Sequence, residues 1–482
     1  MLTQSQIADV AVARLGLPVA MAKLQIMHDI AACLLDQKSG PIVWDALLRW
    51  LKSRELESEV LEGLCPLLLA KGARVLEISA LRLSIERPSI LSDLLIAHSF
   101  GSPLMVAAWM HSHSEEVPEL LRLNEELEEL SSARFFPPLF GNRLRALEMR
   151  SNKPFLRQWA YEFTLLRSRA VYTDSGDFGY FRGDTTNGTG MFTGKRSHLA
   201  RSAFLRTLAL AVARWGMPQD LAEEVAQFAL PAEPILLKLL PGSPPSWASA
   251  LHAWPIDDSN GGLPAAIAQI VGHIEHHTGR TLLHFKGCTH LTKTMQAEVE
   301  VTTVLAGRGA ANPEEVFEIQ NALLGKVEVP RQNFDSFNSC YWPRENTLPG
   351  KDGVDYLPAL LPLIGNIVGY LSTDLLHLLP QIPAVHSTEG FITGIPEVGG
   401  VSILYGGNCV GRVDYWNWHW QPMHEMNSLP PSAVCTTLSA DAVEELFRVR
   451  GYAVKRCWKT LVSTRETDYG SWVDTIRFGI LA

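Results

Sequence analysis

Apolar residues recur at steps of three and four positions through the first 150 residues. This spacing is typical of amphipathic helices, because it collects the apolar side chains on one face. In the stretch LPVAMAKLQIMHDIAACLLDQ, the aligned positions are Leu17, Met21, Leu24, Met27, Ala31 and Leu34. Segments 42–72, 89–101 and 118–132 repeat the pattern, so residues 1–150 are predicted to form an all-α helical array.

A series of short amphipathic helices resembles the architecture of HEAT and armadillo repeat proteins. The resemblance concerns architecture only, because the chain shows no strict repeat period, and an ordinary helical bundle is the alternative. Segment 118–132 combines a leucine seam with an acidic face between Glu125 and Glu129. We therefore expect residues 1–150 to carry an interface for a protein partner.

Residues 151–246 differ in texture and are predicted to form a second region. A polar, glycine-rich stretch runs from 170 to 198, and a helical pattern follows that ends at Gly216, a usual type of helix stop. The proline-dense sequence PGSPPSW at 241–247 predicts a domain boundary.

Residues 247–482 mix the two periodicities and predict a mixed α/β (α+β) domain. Helical patterns occupy 263–279, 312–325 and 439–451, and strand patterns occupy 297–307, 452–463 and 472–482. Residues 401–420 predict a hairpin that turns at Gly406, Gly407 and Asn408. The predicted fold is therefore multidomain, with an all-α N-terminal helical array and a mixed α/β C-terminal part.

The most apolar run, residues 357–379, contains Pro358, Pro362 and Asp374. A membrane-spanning helix needs about 20 nearly uncharged residues, so the run predicts one or two buried helices. The N-terminus lacks the basic and then uninterrupted apolar regions of a secretory signal. Seven widely spaced cysteines without C-x-x-C disfavour a disulfide framework or zinc site. We expect a cytoplasmic protein without cofactor, metal or membrane partner.

The glycine-rich stretch GTGMFTGKRS at 188–197 is the first candidate site. A nucleotide P-loop has four residues between its framework glycines, whereas the intervals here are three and five and Lys195 precedes Arg196. A glycine turn at a helix start still favours an anion or an acidic partner residue. The predicted anion-binding residues are Arg182, Lys195, Arg196 and Arg201. The alternative is a solvated loop.

A histidine-rich segment, GHIEHHTGRTLLHFKGCTH, is the second candidate. His273 and His277 are four positions apart on a predicted helix, a spacing that lets two imidazoles face one metal. Cys288 and His290 follow, but the order H-E-x-x-H is not matched. The alternative is that histidines near a helix C-terminus are favoured by the helix dipole alone.

A third candidate is the chain order Cys340, His386, Asn417. This order, with a tryptophan-rich sequence around the asparagine, resembles that of papain-type cysteine peptidases over a few residues. The chain departs from that family because Pro343 closely follows the cysteine and N-S-W-G is absent. His419 and His424 are further candidates for a hydrolytic site.

The fourth candidate is the basic, aromatic stretch FRVRGYAVKRCWKTLVSTRE. The formal net charge of −9 disfavours general coating of nucleic acid but leaves room for a local basic patch. Strand alternation puts Lys455 and Lys459 on one face and Arg456 and Trp458 on the other, where the tryptophan would be able to stack on a base. The alternative is an edge strand that lysines protect from aggregation.

These observations favour a cytosolic, bacterial accessory or recognition subunit of a multiprotein assembly. By analogy, bacterial defence systems also combine a helical array with an α/β module. Its helices would bind a protein partner, and its C-terminal part would bind nucleic acid or a phosphorylated ligand. The alternative is a metal-dependent hydrolase or nuclease that uses the histidines between 273 and 290.

Overall fold

The computed structural model describes residues 2–17, 20–110, 115–118, 138–169, 195–231, 234–239, 242–250, 262–292, 294–323, 335–338, 341–350, 353–363, 380–386, 391–417, 432–467 and 469–481. These residues form two compact units, one up to Leu237 and the other from Lys238 onward. The predicted division of the first unit near residue 150 stays a prediction.

The described part of the first unit is helical. Its helices are α1 Gln4–Ala13, α2 Ala20–Leu35, α3 Gly40–Lys52, α4 Glu57–Leu69, α5 Ile78–Leu83, α6 Ile90–Phe100, α7 Val106–Met110, α8 Pro138–Ser151, α9 Phe155–Arg169, α10 Lys195–Trp215 and α11 Gln219–Ala226. A further short helix, α12 Pro234–Lys238, lies at the boundary between the units.

The predicted apolar stripes form the core of this unit. In α2, Leu24, Met27, Ala31 and Leu34 are buried, whereas Leu17 lies before the helix and is exposed. Ser89 caps α6 by accepting a hydrogen bond from the backbone N–H of Ser92, and Gly101 ends this helix in the left-handed conformation. Local sequence signals therefore set these helix ends.

The described part of the second unit combines three α-helices with a large sheet. Its helices are α13 Leu263–Thr278, α14 Pro313–Leu323 and α15 Ala440–Phe447. Its strands are β1 Thr281–Thr292, β2 Met295–Ala306, β3 Phe337–Asn338, β4 Leu348–Pro349, β5 Asp355–Pro358, β6 Leu360–Pro362, β7 Gln381–Pro383, β8 Ile392–Glu397, β9 Gly400–Tyr405, β10 Asn408–Asn417, β11 Ser432–Leu438, β12 Ala453–Thr464 and β13 Val473–Leu481.

The main sheet has the strand order β13-β12-β2-β1-β11-β10-β9-β8-β3, and these neighbouring strands pair in antiparallel fashion. β5 pairs with the end of β2 beyond β1, and β6 pairs separately with β7. β12 therefore lies inside the sheet, while β13 is the last described strand at that end.

Two helices cover opposite faces of this sheet. On the α13 face, Ile270 and Ile274 of the helix pack with Phe285, Val301 and Trp458 of the strands. On the α14 face, Val316 and Phe317 pack with Val304 and Cys457. Since side chains alternate along a strand, residues 284, 286 and 288 of β1 share the α14 face.

The fold class predicted from sequence is confirmed in its coarse form, with helices first and a mixed, sheet-rich part second. The predicted hairpin is also present: Gly406 and Gly407 both have positive φ, 56° and 84°, as a two-residue turn requires. The helix prediction at the start of 357–379 is wrong, because residues 357–358 belong to β5 and residues 360–362 form β6. Prolines are better tolerated in these short strands than inside a helix.

Within the described part of the chain, no helix is both long enough and apolar enough to cross a bilayer.

Candidate functional site

The outer edge of β13 is a candidate binding surface of the second unit. β13 pairs with β12 along its whole 9-residue length without a register shift. No described strand pairs with its other edge. Backbone N–H and C=O groups along that edge are therefore placed to hydrogen-bond with an added strand.

Apolar side chains accompany this edge. Val473, Ile476 and Ile480 are 65%, 44% and 40% exposed. Proteins usually protect edge strands with proline, lysine, a bulge or a very short length. β13 contains neither proline nor lysine and carries only Asp474 and Arg477 as charges. A long, regular, apolar edge of this kind favours uptake of another strand.

A polar cluster lies on the α14 face, across β1 and β2. The Nζ atom of Lys286 is 3.2 Å from Glu298 and 3.8 Å from Glu300. His284 places its Nε2 atom 3.6 Å from Glu300, and the thiol of Cys288 lies 3.5 Å from Glu298. β1 and β2 form an antiparallel pair that sets these residues opposite one another.

Electrostatics in this cluster favour paired charges. Burial alone would raise the pKa of Glu300, but Lys286 and His284 together lower it to about 2. Burial opposes the charge of Lys286, yet Glu300 and Glu298 raise its pKa above the ordinary value. Burial, assisted by Glu298, raises the pKa of the Cys288 thiol to about 12. The cluster thus holds paired charges and a protonated thiol, which is a poor nucleophile.

A second polar cluster lies inside the helical unit. Lys23 of α2 and Glu62 of α4 form an ion pair, and Nε2 of His198 in α10 is 3.5 Å from the same carboxylate. Nδ1 of His198 is 3.0 Å from the hydroxyl of Ser58. Burial, then Lys23, lowers the pKa of His198 well below its usual value. A neutral His198 is able to accept from Ser58 and donate toward Glu62.

The residues predicted to bind an anion lie partly next to this cluster. Lys195 at the start of α10 pairs with Glu59 of the same unit at 3.1 Å. Arg201, further along α10, is buried. Arg182 and the side chain of Arg196 lie outside the described residues. Lys195 has thus found an acidic partner within its own chain, and the anion site stays a prediction.

The histidine-rich candidate divides between two sides of the sheet. His273 and His277 lie on α13 with ring centroids 4.1 Å apart, as their spacing predicts. Their ring nitrogens contact backbone oxygens, Nε2 of His273 that of Trp247 and Nδ1 of His277 that of His273. Cys288 lies on the α14 face, so the sheet separates it from both histidines. The side chain of His290 lies outside the described residues.

Among the described residues, no group of three or more histidine, cysteine, aspartate or glutamate side chains has an arrangement that would hold a metal ion.

The cysteine, histidine and asparagine candidate is described only at His386. Its Nδ1 and Nε2 atoms lie 3.2 Å and 3.0 Å from the backbone oxygens of Trp342 and Pro358. Both ring nitrogens are thus occupied by the backbone, which favours an anchoring role in the fold over activation of a thiol. Cys340, the side chain of Asn417, His419 and His424 lie outside the described residues.

The basic stretch forms β12 as predicted, but its side chains contact residues of the second unit on both faces of the sheet. Trp458 is 4% exposed and packs in the core against α13, so its ring is not available to a base. Arg456 pairs with Glu275 of α13 at 2.9 Å, and Lys459 lies over the ring of Phe317. β13 pairs with β12 only from Arg456 onward, so Lys455 lies on a part of β12 that pairs with β2 alone. Edge protection therefore stays the alternative for Lys455.

Sequence reasoning missed two features. The first is the pairing of Lys286 with Glu298 and Glu300, which alternating polar residues on two adjacent strands signal. The second is the exposed β13 edge, for which the signal is a strand pattern free of proline and lysine. Neither feature matches a named motif.

A comparison with protein-family models found no match to this chain, and a search of curated proteins gave no match either.

Proposed function

We propose that this protein is a recognition subunit of a multiprotein assembly and that β13 takes up a β-strand from another polypeptide. The observation that carries the proposal is the regular, apolar, unprotected edge of β13. Strand addition derives its affinity from main-chain hydrogen bonds and its specificity from alternate side chains. Ile476 and Ile480, on the α14 face, would contact the side chains of the added strand.

The helices of the first unit are a second proposed partner surface. Leu83 and Met149 are large apolar side chains that are exposed on it. We also retain cytoplasmic location, and binding of nucleic acid or an anionic ligand, as proposals that rest on sequence. The hydrolase alternative receives no geometric support from His273, His277 and Cys288.

A photo-crosslinking residue placed at position 476 tests the proposal in cells that express the protein. We expect a discrete crosslinked product from position 476 that Arg477→Pro removes, because proline both lacks a backbone donor and disturbs a strand. Ile395 on β8, which is 43% exposed, is the matched control position. Equal crosslinking from positions 476 and 395, or none from either, would contradict the proposal.

A further inference from the structure

We propose that the polypeptide which pairs with β13 is a second copy of this chain, in an antiparallel register centred on Phe478. This inference rests on the proposed function, because it names the source of the added strand. A symmetric pairing of two copies allows only certain registers between their β13 strands.

Two copies joined along identical edges are related by a two-fold axis perpendicular to the joint sheet. Such an axis keeps each face of the sheet on the same side. Directly opposite residues of the two strands must then have their side chains on the same face, and side chains alternate between faces along each strand. The axis must therefore pass between one residue and the same residue of the second copy. The register of β13 with its copy is therefore limited to a few choices, each centred on one residue.

The charges of β13 exclude two of these centres. Centring on Asp474 places two carboxylates opposite each other, and centring on Arg477 places two guanidinium groups opposite each other. Like charges directly opposite one another destabilise a strand pair. Centring on Thr475 or Ile476 sets Asp474 opposite an apolar side chain, Ile476 or Phe478 respectively.

Centring on Phe478 matches apolar residues with apolar residues. Ile476 then lies opposite Ile480 of the second copy, Phe478 lies opposite its own copy, and Arg477 lies opposite Gly479. Ile476, Phe478 and Ile480 all lie on the α14 face, because their partners on β12 are Leu461, Lys459 and Cys457. The pairing spans residues 475–481 and covers the exposed side chains of Ile476 and Ile480.

Light scattering after size-exclusion chromatography tests this inference on the full chain. We expect a dimer at micromolar concentration, and a shift to monomer in Ile476→Lys. The matched control Ile395→Lys, on a residue of nearly equal exposure, should remain dimeric. Circular dichroism and thermal unfolding of both variants verify that each one folds. A monomeric wild type, or a dimer that Ile476→Lys leaves intact, overturns the inference.

Disulfide trapping tests the register. In a Cys409→Ser background, which removes an exposed native thiol, Ile476→Cys and Ile480→Cys proteins are oxidised separately and as a mixture. The register requires a disulfide between the two variants, since directly opposite residues satisfy disulfide geometry. The background without added cysteine should not crosslink. Crosslinking of Ile476→Cys with itself, more than in the mixture, overturns the register.

The outcomes separate this inference from the proposed function. If the wild type is monomeric but position 476 crosslinks to a different polypeptide, the proposed function stands and the self-pairing is wrong. If the wild type is monomeric and position 476 crosslinks to nothing, both are wrong.

Discussion

Lys23 and Glu62 form an ion pair inside the helical unit, with Nζ and Oε2 2.5 Å apart and each side chain 1% exposed. The pair joins α2 to α4, and His198 brings α10 to the same carboxylate. Burial lowers the pKa of Lys23, and Glu62 partly offsets this effect. Two charges removed from water in this way depend on each other.

We predict that Glu62→Gln lowers the free energy of unfolding by about 3–5 kcal/mol, because it leaves a buried ammonium without its counter-charge. Urea denaturation measures the change. Asp9→Asn is the matched control, since its pair with Arg49 is half exposed and should contribute at most about 1 kcal/mol. An equal decrease in the free energy of unfolding in both variants would show that the buried pair stabilises the fold no more than the exposed pair.

Acid unfolding should respond to Glu300. Its pKa is about 2 in the folded chain, below the ordinary value of 4.5. Since the folded-state pKa is lowered, the stabilisation is present above pH 4.5 and is lost as the pH falls toward 2. We expect Glu300→Gln to flatten the fall of unfolding free energy in that window. Glu314→Gln, on an exposed position of α14, should retain the wild-type slope, and the same slope in both variants would contradict the prediction.

Thiol labelling should distinguish Cys288 from Cys409. With a pKa of about 12, only about one Cys288 in 10⁴ is a thiolate at pH 8. Cys409 is exposed on the β9–β10 hairpin. We predict that iodoacetamide modifies Cys409 first in the native protein and both cysteines at similar rates in urea, as measured by mass spectrometry. Similar native rates would show that the β1–β2 cluster does not suppress ionisation of Cys288.

Trp458→Ala should act through stability. Removing a buried tryptophan from the core costs about 3–5 kcal/mol, whereas Trp472→Ala, at a partly exposed position, should cost much less. Urea unfolding measures both, and binding of single-stranded DNA at low salt is measured alongside. A Trp458→Ala variant with wild-type stability and weaker DNA binding would restore the stacking interpretation.

The sequence predicted those elements whose signals are local. Ser439 caps α15 by accepting a hydrogen bond from the backbone N–H of Ala442, and the Gly406–Gly407 turn sets the β9–β10 hairpin. The spacing of His273 and His277 likewise predicted that their rings lie close together.

Features that depend on pairing between segments far apart in the sequence were not predicted. The sequence predicts that Trp458 stacks on a base, whereas its ring is buried against α13. Strand alternation does not tell which face of the sheet a helix covers. The sequence predicts a helix where β5 and β6 lie, because a continuous apolar run has no periodicity that distinguishes a strand from a helix. The partners of Lys286 became evident only once β1 and β2 were set in register.

The position of β2 between β1 and β12 bears on how the chain is made. A short turn connects β1 to β2, so these two strands are close in sequence. On its other side, β2 pairs with β12, which comprises residues 453–464. During synthesis, that side of β2 emerges from the ribosome long before β12 exists. Contacts between such distant segments slow folding and leave unpaired strand edges open to aggregation. Chains that stop before residue 453 would therefore present an incomplete sheet to the cell's chaperones and proteases.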